Sequence, residues 1–240
     1  STFVGGPGND YTSSKFGFLL NNSNQLTVCG KCSSGFPTTV GAYSQTFAGG
    51  TYDVCLLQIN SSFSSLIFST YLGGSGDDAG FFLTTNTLNE HIISGSASNG
   101  FPTTACCYDA SFNGGTSDAF VAKFNSNASQ LLYSSYLGGS NKDVAVSVWT
   151  NADTAIIIGE TQSSNLPVTS DAYDQSYNGG YDLILSKMGL SCESSIADFI
   201  IPDTACVNEG ITIQNISTGG TTYYWNFCST NLVNDPLGVN

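Results

Sequence analysis

The sequence predicts an all-β protein, and three observations lead to this prediction. Charged residues make up only 10% of the 240 residues, against about a quarter in a typical soluble domain, so the charged helix formers Glu, Lys and Arg are scarce. Short segments rich in aromatic and β-branched residues recur between turns of Gly, Asn and Ser, as expected of strands. The same landmarks also return along the chain at a fixed interval, which indicates an internal repeat.

Three sets of landmarks define this repeat. An apolar residue followed by proline returns every 65 residues, and a Gly-Gly pair returns at the same interval. A third motif, which ends in Gly-Gly, returns after 68 and then 65 residues. The landmarks are Phe36-Pro37, Phe101-Pro102 and Leu166-Pro167; Gly49-Gly50, Gly114-Gly115 and Gly179-Gly180; and Thr2 to Gly6, Thr70 to Gly74 and Ser135 to Gly139. They predict three repeats, at about 1–68, 69–133 and 134–188.

Each repeat is predicted to hold four short strands. In the second repeat these are 66–72, 78–85, 90–95 and 118–125, with a loop of about twenty residues at 96–117 before the last strand. Four antiparallel strands in each unit are typical of a β-propeller blade, and the long loop explains why the unit exceeds the usual length of about 40 to 50 residues. Propellers have about four to eight blades, so three blades predict further blades before Ser1.

The repeat resembles a known family. The segments 71–78 (YLGGSGDD), 101–104 (FPTT) and 117–125 (SDAFVAKFN) are similar to the bacterial SBBP-type β-propeller repeat. The resemblance covers about residues 1–188 and is closest in the second repeat. The third repeat departs from it with Asn141-Lys142-Asp143 in the turn and with Leu166 in place of Phe. The resemblance implies a long, modular, exported surface protein of the kind that Bacteroidota carry through type IX secretion.

The composition of the chain changes at Gly189. The segments 197–200, 203–215 and 223–227 (YYWNF) resemble the opening strands of a PKD-type immunoglobulin-like domain, although Cys228 stands where that family usually has Gly. At about fifty residues, 189–240 are half of such a sandwich domain. We therefore expect a partial immunoglobulin-like module within a longer polypeptide.

The charge of the chain limits its partners. The net charge is −13, and all five basic residues are Lys, so the cationic groups that bind nucleic acid or an anionic membrane surface are scarce. No run approaches the ~20 apolar residues of a membrane span. Eight cysteines in a chain rich in Ser, Thr and Asn favour an oxidising compartment, and we expect an extracellular or cell-surface location.

The cysteines predict disulfides rather than metal or redox sites. Cys29 and Cys32 have the spacing of zinc and thioredoxin-like motifs, but neither a second ligand pair nor a βαβ setting accompanies them. Alignment of the repeats places Cys55 on the strand next to theirs, so we expect either a Cys29–Cys55 or a Cys32–Cys55 bridge. One further bridge is expected among the cysteines of the tail, Cys192, Cys206 and Cys228.

Few other residues suggest chemistry. Asp77 and Asp78 form an acidic pair with the ligand type that calcium prefers, but Asp10 and Asp143 take the place of Asp78 in the other repeats, which favours a turn-capping role. His91, the only histidine, lies in an apolar strand and is interpreted as structural. The triplets that begin at Asp153 and Asp203 resemble a short bacterial O-glycosylation motif and make Thr154 and Thr204 candidate acceptors.

These observations predict a protein that is not an enzyme and needs no cofactor. We expect a non-catalytic adhesin or scaffold region of a larger secreted protein, which binds polysaccharide or a cell-surface protein through its long loops and contacts other domains of the same polypeptide. Two alternatives stay open: an ancillary region of a large secreted hydrolase, and a self-assembling filament subunit whose strand edges pair between chains.

Overall fold

The computed structural model describes residues 1–12, 17–151 and 153–191 and four short strands beyond them. The chain divides into two compact units, 1–192 and 193–240. Every regular element in the described residues is a β-strand, which confirms the predicted all-β class. No membrane-spanning helix is found in the described part of the chain.

The first unit contains three antiparallel sheets, and none of them closes into a barrel. The first sheet contains β1 (Asp10–Thr12) and β2 (Phe18–Leu20), which pair with different parts of β3 (Leu26–Cys32) and together take the place of its first strand. β4 (Asp53–Ile59) and β5 (Leu66–Leu72) follow as the third and fourth strands. The second sheet contains β6 (Ala79–Thr85), β7 (His91–Ala97), β8 (Asp118–Phe124) and β9 (Leu131–Leu137). The third contains β10 (Asp143–Asn151), β11 (Thr154–Thr161) and β12 (Asp182–Gly189).

The second unit contains two strand pairs in its described residues. β13 (Phe199–Ile200) pairs with β14 (Gln214–Asn215), and β15 (Tyr223–Cys228) pairs with β16 (Asn231–Asp235). Both pairs are antiparallel. The predicted immunoglobulin-like module stays a prediction.

The strands are grouped differently from the prediction. Leu66–Leu72 pairs with β4, so it is the fourth strand of the first sheet and not the first strand of the second. A tight turn after β4 explains this, because the Asn60 side chain accepts hydrogen bonds from the backbone N–H groups of Ser64 and Ser65 and closes a hairpin. The Gly73-Gly74 pair then leads the chain from β5 into the next sheet. Each sheet is therefore offset from the sequence repeat by one strand.

Each sheet has two apolar faces. We call the face that points to the following sheet the forward face and the opposite one the rear face. Val54 and Leu56 lie on the forward face of the first sheet, and they belong to a buried cluster that includes Leu83, Ile93 and many other residues of the second sheet. The forward face of the second sheet packs in the same way against the rear face of the third. This second cluster contains Ile92, Ala119, Val121, Tyr133, Leu137, Ala145, Val148, Ala155, Ile157, Ile184, Met188 and Leu190.

The long loop of each of the first two repeats binds the outer edge of its fourth strand. In the first repeat the Tyr71 N–H donates to Ser44 O at a distance of 3.0 Å, and the Thr39 N–H donates to Ser69 O at the same distance. The Tyr71 hydroxyl accepts from the Phe36 N–H at 2.7 Å. The second repeat has the same arrangement, because the Tyr136 hydroxyl accepts from the Phe101 N–H at 2.9 Å. The fourth strand is thus held between the third strand and the loop.

We expect the substitution Tyr136→Phe to destabilise the protein by about 1–3 kcal/mol. It removes the hydroxyl that accepts from the buried Phe101 N–H and donates to Ser98 O at 2.6 Å. Urea unfolding measures this change. The matched control Tyr173→Phe changes a fully exposed loop tyrosine and should leave the free energy of unfolding within about 0.5 kcal/mol. Equal effects of the two substitutions would contradict this description of the loop.

Candidate functional site

In the Asp77-Asp78 pair, Asp78 caps its own turn and Asp77 binds the preceding loop. Asp78 is 1% exposed, and its carboxylate accepts hydrogen bonds from the Gly74 N–H at 2.7 Å and the Ser98 N–H at 2.9 Å. Asp77 accepts from the Thr51 N–H. Asp10 and Asp143 accept from the equivalent glycines, Gly6 and Gly139, at 2.7 Å each. The turn-capping interpretation is therefore confirmed. In the described ranges no group of three or more His, Cys, Asp or Glu side chains is placed to hold a metal ion, so the calcium interpretation gains no support.

A second set of buried aspartates escaped the sequence analysis. Asp53 and Asp118 are fully buried, and each accepts a hydrogen bond from a loop N–H, at 2.6 and 2.7 Å. The other carboxylate oxygen, Oδ1, has no hydrogen-bond partner in either residue. Glycine is required beside them, because a Cβ atom at Gly73 or Gly138 would collide with the Asp53 or Asp118 carboxylate. The signal was present, since a Gly-Gly pair stands shortly before each of these aspartates.

Burial changes the acidity of these carboxyl groups. It raises the pKa of Asp53 to about 6 and the pKa values of Asp78 and Asp118 to about 7. Hydrogen bonds from backbone N–H groups oppose the shift, and neighbouring carboxylates add to it. Perturbed carboxyl groups often mark functional sites. These three instead anchor loops to strand ends, so their role here is structural.

His91 also has structural surroundings. Its Nε2 lies 3.1 Å from Ser126 O, and its ring packs against Phe68 of the first sheet at a centroid distance of 5.2 Å. Burial lowers the pKa of the imidazole. These contacts agree with the structural interpretation of His91.

The predicted disulfide in the first repeat is absent, since Cys29, Cys32 and Cys55 are free thiols. The predicted Cys29–Cys55 bridge is wrong because Cys29 lies opposite Leu56, on the face of the sheet that Cys55 does not share. Cys32 and Cys55 share the rear face, where a hydrogen bond between the thiols and burial raise the pKa of Cys32. They are diagonal neighbours, and such pairs have Cα atoms about 7–8 Å apart, beyond the usual disulfide range of about 4.4–6.8 Å.

The remaining candidates fall partly outside the described residues. Cys106 is disulfide-bonded. The predicted bridge among Cys192, Cys206 and Cys228 concerns side chains outside the described part of the chain. Thr154 begins β11 and is half-buried, whereas Thr204 is not among the described residues. The glycosylation predictions are untested.

The forward face of the third sheet is uncovered. Leu183 and Leu185 of β12 are 75% and 76% exposed. The residues at the same places on the first sheet are Val54 and Leu56, and both are completely buried. Trp149, Ile156 and Ile158 extend the exposed apolar surface across the other two strands. Contiguous apolar surface of this kind marks an interaction site.

The rear face of the first sheet is uncovered in part. Phe18 is 62% exposed, whereas its counterparts Leu83 and Val148 on the next two sheets are only 1% and 2% exposed. Leu20 on the same strand is 61% exposed. A cavity of about 260 Å³ lies on this face. Among the described residues no further sheet covers these two faces, which are the counterparts of the faces that pack together between successive sheets.

The third sheet also has an open edge. Among the described residues no strand pairs with the outer edge of β12, where the first two sheets have their fourth strand. A groove of about 510 Å³ lies between β12 and the loop 163–181, and we call it the slot. Its lining includes Leu166, Tyr173, Tyr177, Asp182 and Leu183. The slot, the forward face of the third sheet and the rear face of the first sheet are the candidate functional surfaces.

In comparisons with known proteins, no protein-family model and no curated protein matches the chain.

We expect the protein to be more stable at pH 5 than at pH 8. A carboxyl group whose pKa is raised on folding stabilises the folded protein while it is protonated. The contribution of Asp53, Asp78 and Asp118 is therefore complete below about pH 4 and is lost as the pH rises through 6 to 7. Thermal unfolding between pH 4 and 8 should show a falling midpoint, with a loss of at least about 1 kcal/mol.

The variant Asp118→Asn tests the origin of this pH dependence. It removes one buried ionisable group and should flatten the curve. Asp171→Asn removes an exposed carboxylate and keeps the overall charge equal to that of the first variant. If both variants show the same dependence as the unmodified protein, the buried carboxyl group is not its source.

We also expect three of the cysteines to resist alkylation in the native protein. Cys29, Cys32 and Cys55 are buried, whereas Cys107 is half-buried. Iodoacetamide treatment followed by peptide mapping should show label on Cys107 first and on the other three only after unfolding. A Cys32–Cys55 disulfide in the mapped native protein would contradict the free thiols described here.

Proposed function

We propose that this chain is a non-catalytic extracellular or cell-surface scaffold region of a larger secreted protein, built of propeller-type blades followed by an immunoglobulin-like module. One observation carries the proposal. The same packing of sheet on sheet occurs twice, and the third sheet presents the equivalent face uncovered. A protein built in this way is suited to extension and attachment at its open end.

The exposed forward face of the third sheet favours a protein as the binding partner. Full burial of a Leu side chain contributes about 1.5–3 kcal/mol, and Leu183 and Leu185 are both mostly exposed. The free edge of β12 offers backbone donors and acceptors to another strand. Polysaccharide, the other expected ligand, would depend on the loop tyrosines. Tyr43 instead joins neighbouring sheets, because its ring packs against Phe124 at 5.6 Å.

The buried aspartates, His91 and the buried thiols support the non-catalytic part of the proposal. Asp78 and Asp118 receive hydrogen bonds from turn and loop backbone, and His91 packs between two sheets. Each therefore has a role in folding. The disulfide-bonded state of Cys106 supports an oxidising, extracellular location.

We expect the substitution Leu185→Lys to weaken self-association at least tenfold, because it places a charge on the exposed forward face. Sedimentation velocity from about 1 to 100 µM measures this. The free energy of unfolding should stay within about 0.5 kcal/mol, since the side chain is largely exposed. The matched control is Leu88→Lys, at a 68% exposed leucine on the turn between β6 and β7.

If the unmodified chain stays monomeric at 100 µM, the forward face of the third sheet does not bind a second copy, and this part of the proposal fails. It also fails if association is the same in both variants, since the apolar face would then not be the attachment surface. A glycan array that showed polysaccharide binding without dependence on Leu185 would move the binding function to the loops.

A further inference from the structure

A lysine is buried between the second and third sheets. Lys123 lies on β8, and its neighbours on the adjoining strands are Ile92 and Tyr133, which both belong to the apolar cluster between these sheets. The Lys123 side chain is only 7% exposed. Burial of an ammonium group costs free energy unless charged partners compensate it. The same place on the first sheet holds an uncharged residue, Gln58.

Two carboxylates contact this amine, one from each sheet. Lys123 Nζ lies 2.7 Å from Asp153 Oδ1 and 3.5 Å from Glu90 Oε2. Glu90 directly precedes β7 of the second sheet, and Asn86 Nδ2 donates to the same Oε2 at 2.7 Å. Asp153 lies in the turn between β10 and β11 of the third sheet. The Leu190 N–H donates to Asp153 O at 2.6 Å and holds this turn in place.

The contact between Lys123 and Asp153 is close enough for a reaction as well as for an ion pair. A C–O bond of about 1.2 Å places the Asp153 Cγ within about 4 Å of Lys123 Nζ. Groups that folding holds at such a distance react much faster than the same groups free in solution, because their loss of translational freedom has already occurred. The Asp153 side chain is 52% exposed, so a water molecule released there can reach the solvent.

We propose that the side chains of Lys123 and Asp153 form an amide bond, which joins the second sheet covalently to the third. Lysine is a nucleophile once it has lost its proton, and the Glu90 carboxylate is placed to accept protons from it. The reaction is a condensation, so it requires no oxidant and no cofactor. The bond goes beyond the scaffold function proposed above and does not depend on it.

The atoms of this step balance within the site. The Lys123 ammonium gives one proton to the Asp153 carboxylate, and the neutral amine then attacks Cγ, so that a bond forms between Nζ and Cγ. Glu90 Oε2 accepts a second proton from Nζ and passes it to the carboxyl oxygen that leaves. The bond between Cγ and this oxygen breaks, and the oxygen departs as water with both protons. One positive and one negative charge disappear together, so the net charge is unchanged.

An amide is compatible with the surroundings of Lys123. It carries no charge, so the cost of a buried ammonium group is removed. Its remaining N–H still faces Glu90, which keeps a hydrogen-bond donor beside the carboxylate. The bond also links the two ends of the segment 123–153, and such a link stabilises the folded state by restricting the unfolded chain.

The third sheet offers a matched control. Lys187 on β12 holds the place that Lys123 holds on β8, but it is exposed. Within the described ranges no carboxylate lies at ion-pair distance from Lys187. We therefore expect Lys187 to keep its free amine.

Intact mass spectrometry of the full chain, after reduction of its disulfides, tests the proposal. The chain should be lighter than its sequence requires by one water molecule. Trypsin should cleave the unfolded chain after Lys31, Lys142 and Lys187 but not after Lys123, because a lysine whose amine is acylated is not a substrate. The full sequence mass together with cleavage after Lys123 would overturn the proposal and leave an ordinary ion pair.

Three variants test the roles of the residues. Lys123→Arg keeps the positive charge beside both carboxylates but cannot form the amide, so this variant should have the full mass. Glu90→Gln removes the proton acceptor and should slow the loss of water at least about tenfold, measured as a time course after cell-free synthesis of the full chain. Lys187→Arg should lose water like the unmodified chain. Loss of water in Lys123→Arg, or an unchanged rate in Glu90→Gln, would overturn the assignment.

Discussion

The burial of apolar side chains between successive sheets is the constraint on which the rest of this structure depends. Side chains alternate between the two faces of a strand, and β4 and β8 are buried along their whole length. Such a sheet is stable only when another apolar layer covers each face. β12 has the same alternating apolar residues, but only one of its faces is covered. The open end of the stack is a consequence of this arrangement.

The long loops cover the edge of the fourth strand, which would otherwise be exposed. An edge strand offers unpaired backbone groups to other chains. In the first two repeats the loop covers that edge with its own backbone, and Tyr71 and Tyr136 fix the loop through their hydroxyls. The buried Asp53 and Asp118 hold the end of the same loop. Their raised pKa values are thus a result of loop anchoring.

The sequence was sufficient for the all-β class and the positions of most strands, because alternation and turn residues are local signals. The grouping of the strands was not predictable in the same way. Leu66–Leu72 lies between two strands along the chain, and only the close turn at Asn60 decides which of them it joins. Knowing which face of the sheet each cysteine lies on would have excluded Cys29 as a partner of Cys55. This knowledge requires the register between β3 and β4.

The candidate surfaces were visible from the sequence only in part. Leu183 and Leu185 read as ordinary strand residues, because Val54 and Leu56 have the same pattern. Their exposure follows from the order of the sheets, which no local signal contains. Asp53 and Asp118 were missed because burial depends on the loop that folds over them.

Hydrogen–deuterium exchange of the β12 backbone amides is the most direct test of the claim that the outer edge of β12 is unpaired. At low concentration the β12 amides on the side away from β11 should exchange much faster than the equivalent amides of β4 and β8. At high concentration they should become protected while β4 and β8 stay unchanged. Protection of β12 equal to that of β4 and β8 at low concentration would contradict the account, because the edge and the face would then be covered within a single chain.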